Sequence, residues 1–451
     1  MKNSINIYER WNNKAIFRMI WPLIVERVLV AMVGIADTAM VSPLGAYAVS
    51  GVSIVDSLNV LFLDLFLALA TGGAVVVSQY LGRDDRKNGS LAARQLLYFV
   101  AFMSILVMIV LLVFHEQLLH LIYGHMEEDV MEAAGIYFRI TVMGYPLLAL
   151  YHAAAALFRS MGISRVGMSI TFIGNIMNLI GNYVMIYVWK WGVAGAAWST
   201  FFTHMASAAV ILVLLYVGHR DINIYGIAKI KLNKGIISSI LRVALPNSME
   251  GSMFQFGKLA LARLASTFGT AAMAGHAIAN NIISVGNLPG VAVGMAMLTI
   301  VGQCIGAGDH TAARHYVKKL MKIAYAIMSS FNLMMLLILP FLLKLFQLSD
   351  ESMKVAQLCG SIFCAAAIFI WIPAYCLPNA LRAAGDGKYT MLSAGFAMWS
   401  ARVGIAYLLA YVFHIDIVCV WIAMVCEWVV RGTFFSLRWR SRKWEKKSVI
   451  T

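Results

Sequence analysis

Residues 22–54 read PLIVERVLVAMVGIADTAMVSPLGAYAVSGVSI, and residues 246–278 read PNSMEGSMFQFGKLALARLASTFGTAAMAGHAI. The second stretch is a copy of the first, 224 positions later (246 − 22). Pro22 returns as Pro246, Glu26 as Glu250, Gly45 as Gly269, Ala48 as Ala272, Gly51 as Gly275 and Ile54 as Ile278. Further along, Gln79 returns as Gln303 and Gly82 as Gly306. Asp37 does not return, because its repeat position holds Leu261. A later block repeats at 223 positions (382 − 159), with Arg159 matched by Arg382, Gly162 by Gly385, Arg165 by Lys388 and Trp198 by Trp421. The chain is therefore one unit written twice.

Composition says what kind of unit. The 451 residues are 61% hydrophobic and 13% charged, against roughly 45–50% apolar in soluble domains. Apolar windows of about 20 residues suit helices crossing a ~30 Å hydrocarbon core, and the alternating segments of a membrane β-barrel are absent. Spans are expected near 15–40, 46–80, 88–114, 130–157, 163–188, 193–217, 236–264, 270–305, 315–342, 354–381, 389–413 and 417–437. The reading is an all-α membrane protein with twelve transmembrane helices in two six-helix lobes. An even number of spans per unit inserts both the same way, so the lobes are expected to be related by a pseudo-two-fold axis along the membrane normal, with a cavity near the midplane. The expected division is an N-lobe over 1–217, a cytoplasmic linker over 218–235 and a C-lobe over 236–451.

The net charge of +15 is explained by topology rather than by nucleic acid. Basic residues gather in alternate loops, at Arg83, Arg86 and Lys87, at Arg159 and Arg165, at Lys231 and Lys234, at Arg314, and from Arg438 to Lys447. The opposite loops carry Lys190, Arg263, Lys344 and Lys354 and the acidic run Glu127, Glu128, Asp129. The positive-inside rule then places both termini in the cytoplasm; the bilayer is the chain's surroundings, and the inner (plasma) membrane is its expected location. Met1 to Lys14 is polar and runs straight into the first span, so no cleavable leader is expected. Six cysteines without C-x-x-C spacing read as apolar packing, not as a metal site or a disulfide framework.

Against this apolar background, each polar residue within a span needs a reason. Pro22 removes a helix hydrogen bond and makes the first span able to bend. Glu26 and Arg27 read as an interfacial pair, and Asp56 and Asp64, eight apart, as candidates to line a cavity. Gly306-Ala-Gly-Asp309 spells the G-x-G-D of intramembrane aspartyl proteases, but it closes a span, has no G-x-G counterpart in the first copy and no Tyr-Asp partner, so it reads as a helix end. His152, His204 and His276 have no ligand spacing and read as packing histidines; Lys258, Arg139 and Arg402 are expected to pair with acids or to reach an interface.

The strongest signal is in span five. Asn175, Asn178 and Asn182 form one stripe of a helix, flanked by Gly174 and Gly181, which allow a neighbour to approach, and Thr200 follows on span six. The repeat supplies an internal control. The equivalents of Asp37, Asn178, Asn182 and Thr200 are Leu261, Ala401, Ile405 and Ala423. A scaffold role would be needed in both halves, so their asymmetry points to a site. One carboxylate with amide and hydroxyl oxygens suits either H+ or Na+, and no cofactor is implied.

These residues resemble a known family. Gly34-Ile-Ala-Asp37, Val77-Ser-Gln79-Tyr-Leu-Gly82, the Asn178-x-x-x-Asn182 stripe, Gly192-Val-Ala-Gly-Ala-Ala with Thr200, Val301-Gly-Gln and Leu381-Arg-Ala-Ala-Gly-Asp386 look like the multidrug and toxic compound extrusion (MATE) transporters. The resemblance implies alternating access and cation-coupled (H+ or Na+) antiport exporting organic cations, drugs or related amphiphiles. It implies that Asp37, Asn178, Asn182 and Thr200 are the N-lobe cation site, that Na+ if used binds there, and that Pro22 is the bend. Position 182, often Asp in prokaryotic members, is Asn here, which leaves one formal charge and favours H+. Members with a second cation site carry a carboxylate where this chain has Phe254 and Gln255. Glu250 reads as structural because Glu26 mirrors it. Glu250, Gln255, Asn175, Asp64 and Asp386 are nonetheless the candidates for a second site or the substrate cavity. A lipid or lipid-linked oligosaccharide flippase of the same superfamily is the alternative. No enzymatic constellation is evident, and a monomer is expected.

Overall fold

The computed structural model describes residues 7–124, 127–218, 221–227, 230–344, 346 and 348–450, and among them there is no strand. The first six spans are Asn13–Val41, Ala46–Gly82, Arg86–Val113, the pair Glu128–Met143 and Tyr145–Ser160, Arg165–Asn182 continued by a π-helix at Tyr183–Val188, and Gly192–Val217. The second six are Lys234–Ser266, the pair Thr270–Gly286 and Leu288–Gly306, His310–Lys344, the chain of Asp350–Phe369, Trp371–Tyr375 and Leu377–Ala383, then Gly387–Tyr411 with a π-helix at Ala397–Gly404, and Val418–Arg440.

Ten of these helices are long and apolar enough to cross a membrane, and the bent fourth span makes eleven. The twelfth, Lys234–Ser266, has 33 residues but carries Arg242, Glu250 and Lys258 along its length. The first span continues as one helix through Pro22. Other prolines break spans that the hydropathy pattern reads as continuous. The fourth turns by 46° at Gly144, just before Pro146, and the eighth breaks at Asn287, just before Pro289. The tenth is interrupted at Ile370 and at Cys376, with Pro373 and Pro378 just beyond. A proline is tolerated in the first turn of a new helix, where its missing N–H costs nothing. The six cysteines carry no disulfide, and Cys376 instead donates to Gly290 O at 3.3 Å.

By compactness the chain forms two units, Asn13–Ala244, and Leu245 onward together with the segment up to Asn12. Within the later unit, Trp11 Nε1 donates to Gln303 Oε1 at 2.9 Å, and Tyr316 donates from its hydroxyl to Ile7 O at 3.4 Å. Within the earlier unit the linker lies against the third span: Gln95 donates to Lys231 O at 2.7 Å and accepts from Asn233 N at 2.8 Å.

The repeat is visible in the packing. Asp85 accepts from Asn88 N at 3.0 Å at the start of the third span, and Asp309, its equivalent, accepts from Ala312 N at 2.8 Å at the start of the ninth. Asp309 of the G-x-G-D motif is thus a helix cap. Gly51 and Gly275 occupy the same crossing in each unit. A Cβ at Gly51 would meet Ala133 Cβ and Ala134 N at 3.0 Å, while one at Gly275 would meet Ser352 O at 2.5 Å. Both positions face backbone that cannot rotate away, Val130 O lying 3.1 Å from a Cβ at Gly51, but the approach at Gly275 is closer, so Gly275→Ala is expected to destabilise the protein by about 1–3 kcal/mol and Gly51→Ala by less. Thermal unfolding of both purified variants in detergent checks the order.

Candidate functional site

The site begins where spans one and five cross. Span five presents exposed apolar Ile173, Ile176 and Ile180 on one side and buried Asn178 and Asn182 on the other. Polar groups inside hydrocarbon must find partners, and these do. Asn182 Nδ2 donates to Asp37 Oδ1 at 2.6 Å and to Asn178 Oδ1 at 3.2 Å. Asn178 Nδ2 donates to Thr200 Oγ1 at 3.3 Å, and Ser199 Oγ donates to Asn178 O at 2.9 Å. The four residues singled out by the repeat comparison thus form one hydrogen-bonded chain joining spans one, five and six. Gly181 makes room for it, since a Cβ there would collide with Ser199, and Gly174 faces Ser207 and Thr203 in the same way.

Span five holds span one at three levels. Asn175 Nδ2 donates to Leu29 O at 2.8 Å, Asn182 binds Asp37, and Tyr187 donates from its hydroxyl to Met40 O at 2.6 Å. The outer two clasps engage backbone carbonyls, which do not titrate. The middle one engages a carboxylate. Tyr187 lies in the π-helix that begins just after Asn182, a distortion frequent at functional sites. One atom of the cluster lacks a partner: Asn182 Oδ1 is buried and unbonded. A buried acceptor left empty costs about 1–3 kcal/mol, which a proton or a hard cation arriving beside Asp37 would relieve.

The candidates for a second site are placed differently. Glu250 is ion-paired with Arg382 at 2.7 Å and, closely, with Arg431. Two guanidinium groups oppose the binding of a cation there. Its mirror Glu26 pairs with Arg159 at 3.8 Å, and Arg159 is the repeat equivalent of Arg382. The pair occurs once per unit, as a scaffold element should. Asp386 is held in a fork by Arg438, at 2.6 and 3.1 Å. Asp64 is half-buried, and Gln255 belongs to the same half-buried stretch as Phe254, whose ring lies 5.4 Å from both Lys258 Nζ and the Arg402 guanidinium. Glu250, which the repeat marks as structural, and Asp386 thus both close on arginines.

Glu427 escaped the sequence reading. Fully buried in the last span, it pairs with Arg402 at 3.4 Å and with Arg431 at 3.5 Å, and accepts from the Tyr375 hydroxyl at 3.4 Å. Tyr375 also stacks on Arg431, 4.5 Å from ring centroid to guanidinium. A network Arg382–Glu250–Arg431–Glu427–Arg402 results. The first-unit equivalents of Tyr375, Arg402, Glu427 and Arg431 are His152, Leu179, His204 and Ala208. Reading the repeat backwards, from second half to first, would have exposed it. His276 accepts at Nδ1 from Trp421 Nε1 at 3.1 Å, and Asn280 Nδ2 donates to its backbone oxygen at 3.1 Å.

A sequence profile of the MatE family matches residues 22–184 and, a second time, 246–408. The chain belongs to the MatE family. Each match covers one copy of the repeat. The chain is similar to the probable multidrug resistance protein NorM of Thermotoga maritima, 25% identical over 97% of this chain and 94% of that protein. It is equally similar to the uncharacterized transporter YisQ of Bacillus subtilis, 25% identical over 96% of each. Among solved structures, the outward-facing conformation of a multidrug resistance MATE family transporter of the MOP superfamily superposes with a TM-score of 0.90 at 20% identity, covering 98% of each chain. The fold is the two-lobe helical one of these transporters, and this MatE protein is a multi-pass membrane transporter.

The buried network gives a stability prediction. Arg431→Ala leaves Glu250 and Glu427 short of their shared countercharge and should destabilise this MatE protein by about 3–5 kcal/mol. Glu445→Gln, which breaks the less buried pair with Arg314 (2.5 Å), should cost under about 1 kcal/mol. Paired thermal melts of the detergent-solubilised variants check the contrast.

Proposed function

We propose that this chain is a cation-coupled antiporter of the inner (plasma) membrane that exports amphiphilic small molecules, organic cations among them, by alternating access. The observation that carries this reading is the Asp37–Asn182–Asn178–Thr200 chain, present in one unit and replaced by apolar residues in the other. The name of the Thermotoga maritima relative, a probable multidrug resistance protein, supports the substrate class.

The mechanism follows from what Asp37 does to span one. Ionised, its carboxylate accepts a short bond from Asn182 and clasps span one to span five. A proton or Na+ neutralises it, weakens that charge-assisted bond and offers Asn182 Oδ1 a partner. Since a charged carboxylate inside the membrane costs ~2.5–3.5 kcal/mol on insertion scales, neutralisation biases the position of span one, with Pro22 available as the point of flexure. With Asn at 182 the site holds one formal charge, which favours H+ as the coupling ion. One cation moving inward gains ~2.3 kcal/mol per 100 mV, enough for roughly a fifty-fold gradient of a neutral substrate.

The flippase reading needs an open basic cavity for pyrophosphate. Arg382, Arg402 and Arg431 do gather, yet Glu250 and Glu427 engage all three, which weighs against it. Both termini are taken as cytoplasmic from the loop charges.

In proteoliposomes, Asp37→Asn is expected to abolish transport of a cationic dye driven by an imposed pH gradient while leaving insertion and folding intact; undiminished transport would overturn the role given to Asp37. Asn182→Asp adds a second carboxylate and should shift the driving ion from H+ towards Na+. Parallel assays with a pH gradient alone and a Na+ gradient alone check the exchange.

A further inference from the structure

The interdomain linker, the only stretch that joins the two copies of the repeat covalently, is fastened along the third span by its own set of bonds. Asn223 N donates to Ser90 Oγ at 3.1 Å, Arg94 to Tyr225 O at 3.2 Å and the Tyr98 hydroxyl to Ile227 O at 2.6 Å, and Gln95 clamps Lys231 and Asn233. Between linker and helix these contacts leave a cavity of about 190 Å³, lined by Leu91, Arg94, Gln95, Tyr98, Gly226 and Lys231. At ~30 Å³ per water, that is space for roughly six waters, or for one phosphoryl group and its nearest linkage.

The chemistry of the lining is one-sided. Among the described residues it holds two cations and no carboxylate. Arg94 spends one guanidinium nitrogen on Tyr225 O, while its Nε is buried without a hydrogen-bond partner. The nearby acid Asp221 is paired with Arg86 at 3.5 Å. Gly226, in the left-handed region at φ +77°, leaves the space beside Arg94 free of a side chain, as a Cβ there would stand 3.7 Å from the guanidinium. A guanidinium and an ammonium lining one cavity match a phosphate oxyanion. Leu91 and the Tyr98 ring give the cavity an apolar wall as well. It sits within four turns of Arg83, Arg86 and Lys87, between which lie Asp84 and Asp85, at the membrane end that the loop charges assign to the cytoplasm.

We propose that this cavity binds a phosphoryl anion, supplied by the headgroup of an anionic phospholipid in the cytoplasmic leaflet, and that the bound anion fastens the linker to the third span. Basic pockets on cytoplasmic faces take such headgroups readily. The site does not depend on Asp37 or on the transport reading; it rests on the membrane orientation alone for the choice of leaflet.

The test uses the full-length protein in neutral detergent, with native mass spectrometry and thermal shift against phosphatidylglycerol, phosphatidylcholine and inorganic phosphate at matched ionic strength. Phosphatidylglycerol should bind saturably and raise the melting temperature, and phosphatidylcholine should not. Lys231→Gln, at an exposed side chain whose loss does not threaten folding, should weaken phosphatidylglycerol about fivefold, and Arg94→Gln on top of it about as much again. Lys446→Gln with Lys447→Gln, exposed elsewhere, removes equal charge and should change nothing. Inorganic phosphate reproducing the shift, with the same sensitivity to Lys231→Gln, would uphold the anion site and make its source a soluble phosphate. Wild-type affinity in Lys231→Gln and in the double variant, or an equal loss in the Lys446/Lys447 control, would overturn the proposal.

Discussion

Hydrocarbon offers a polar group nothing to bond to, so each one kept inside a membrane helix must bring its own partner. In this MatE protein that constraint is met differently by different residues. Glu26 and Glu250 meet it with arginines, and Asn175 and Tyr187 meet it with the carbonyls of Leu29 and Met40. Asp37 meets it with an uncharged amide, that of Asn182, at 2.6 Å. An arginine would fix the charge of its partner permanently. An amide supports the charge without neutralising it, and so leaves the carboxylate able to take up a cation. The proposed coupling at Asp37 rests on this difference in partner.

The internal repeat turns that distinction into an argument that needs no other protein. The glutamate–arginine pair, the aspartate caps at Asp85 and Asp309, and the crossing glycines Gly51 and Gly275 occur in both copies and serve the scaffold. The asparagine chain occurs only in the first copy, and the Glu427 network only in the second. The two asymmetric clusters differ in kind. The first is anionic, with one acid and an empty acceptor on Asn182; the second joins three arginines to two glutamates, and Tyr375 packs over Arg431. A carboxylate between two guanidinium groups has little use for a further cation, which supports the proposal that coupling lies in the first copy.

Much of this was legible in the sequence because two signals are strong there: apolar length, which marks spans, and repetition at a nearly constant offset, which separates shared from unshared residues. The stripe Asn175, Asn178, Asn182 could be placed on one helix face from spacing alone. What could not be seen were the breaks at Gly144, Asn287, Ile370 and Cys376, since a hydropathy window averages over a kink of one or two residues. Nor could the partners of Glu250 and Asp386 be named, because Arg431 and Arg438 lie far along the chain and only the fold brings them near. Glu427 carries a weaker signal. A lone acid in a last apolar span has no spacing to announce it, and only its mismatch with His204 in the first unit marks it.

The central claim is that Asp37 exchanges a cation inside the asparagine cluster. Infrared difference spectroscopy on the purified protein, stepping first pH and then Na+, observes that exchange on the carboxyl group itself. A protonated-carboxyl band should appear as pH falls, be absent from Asp37→Asn and shift in Asn182→Leu. Identical difference spectra for wild type and Asp37→Asn, under both the pH step and the Na+ step, would contradict it.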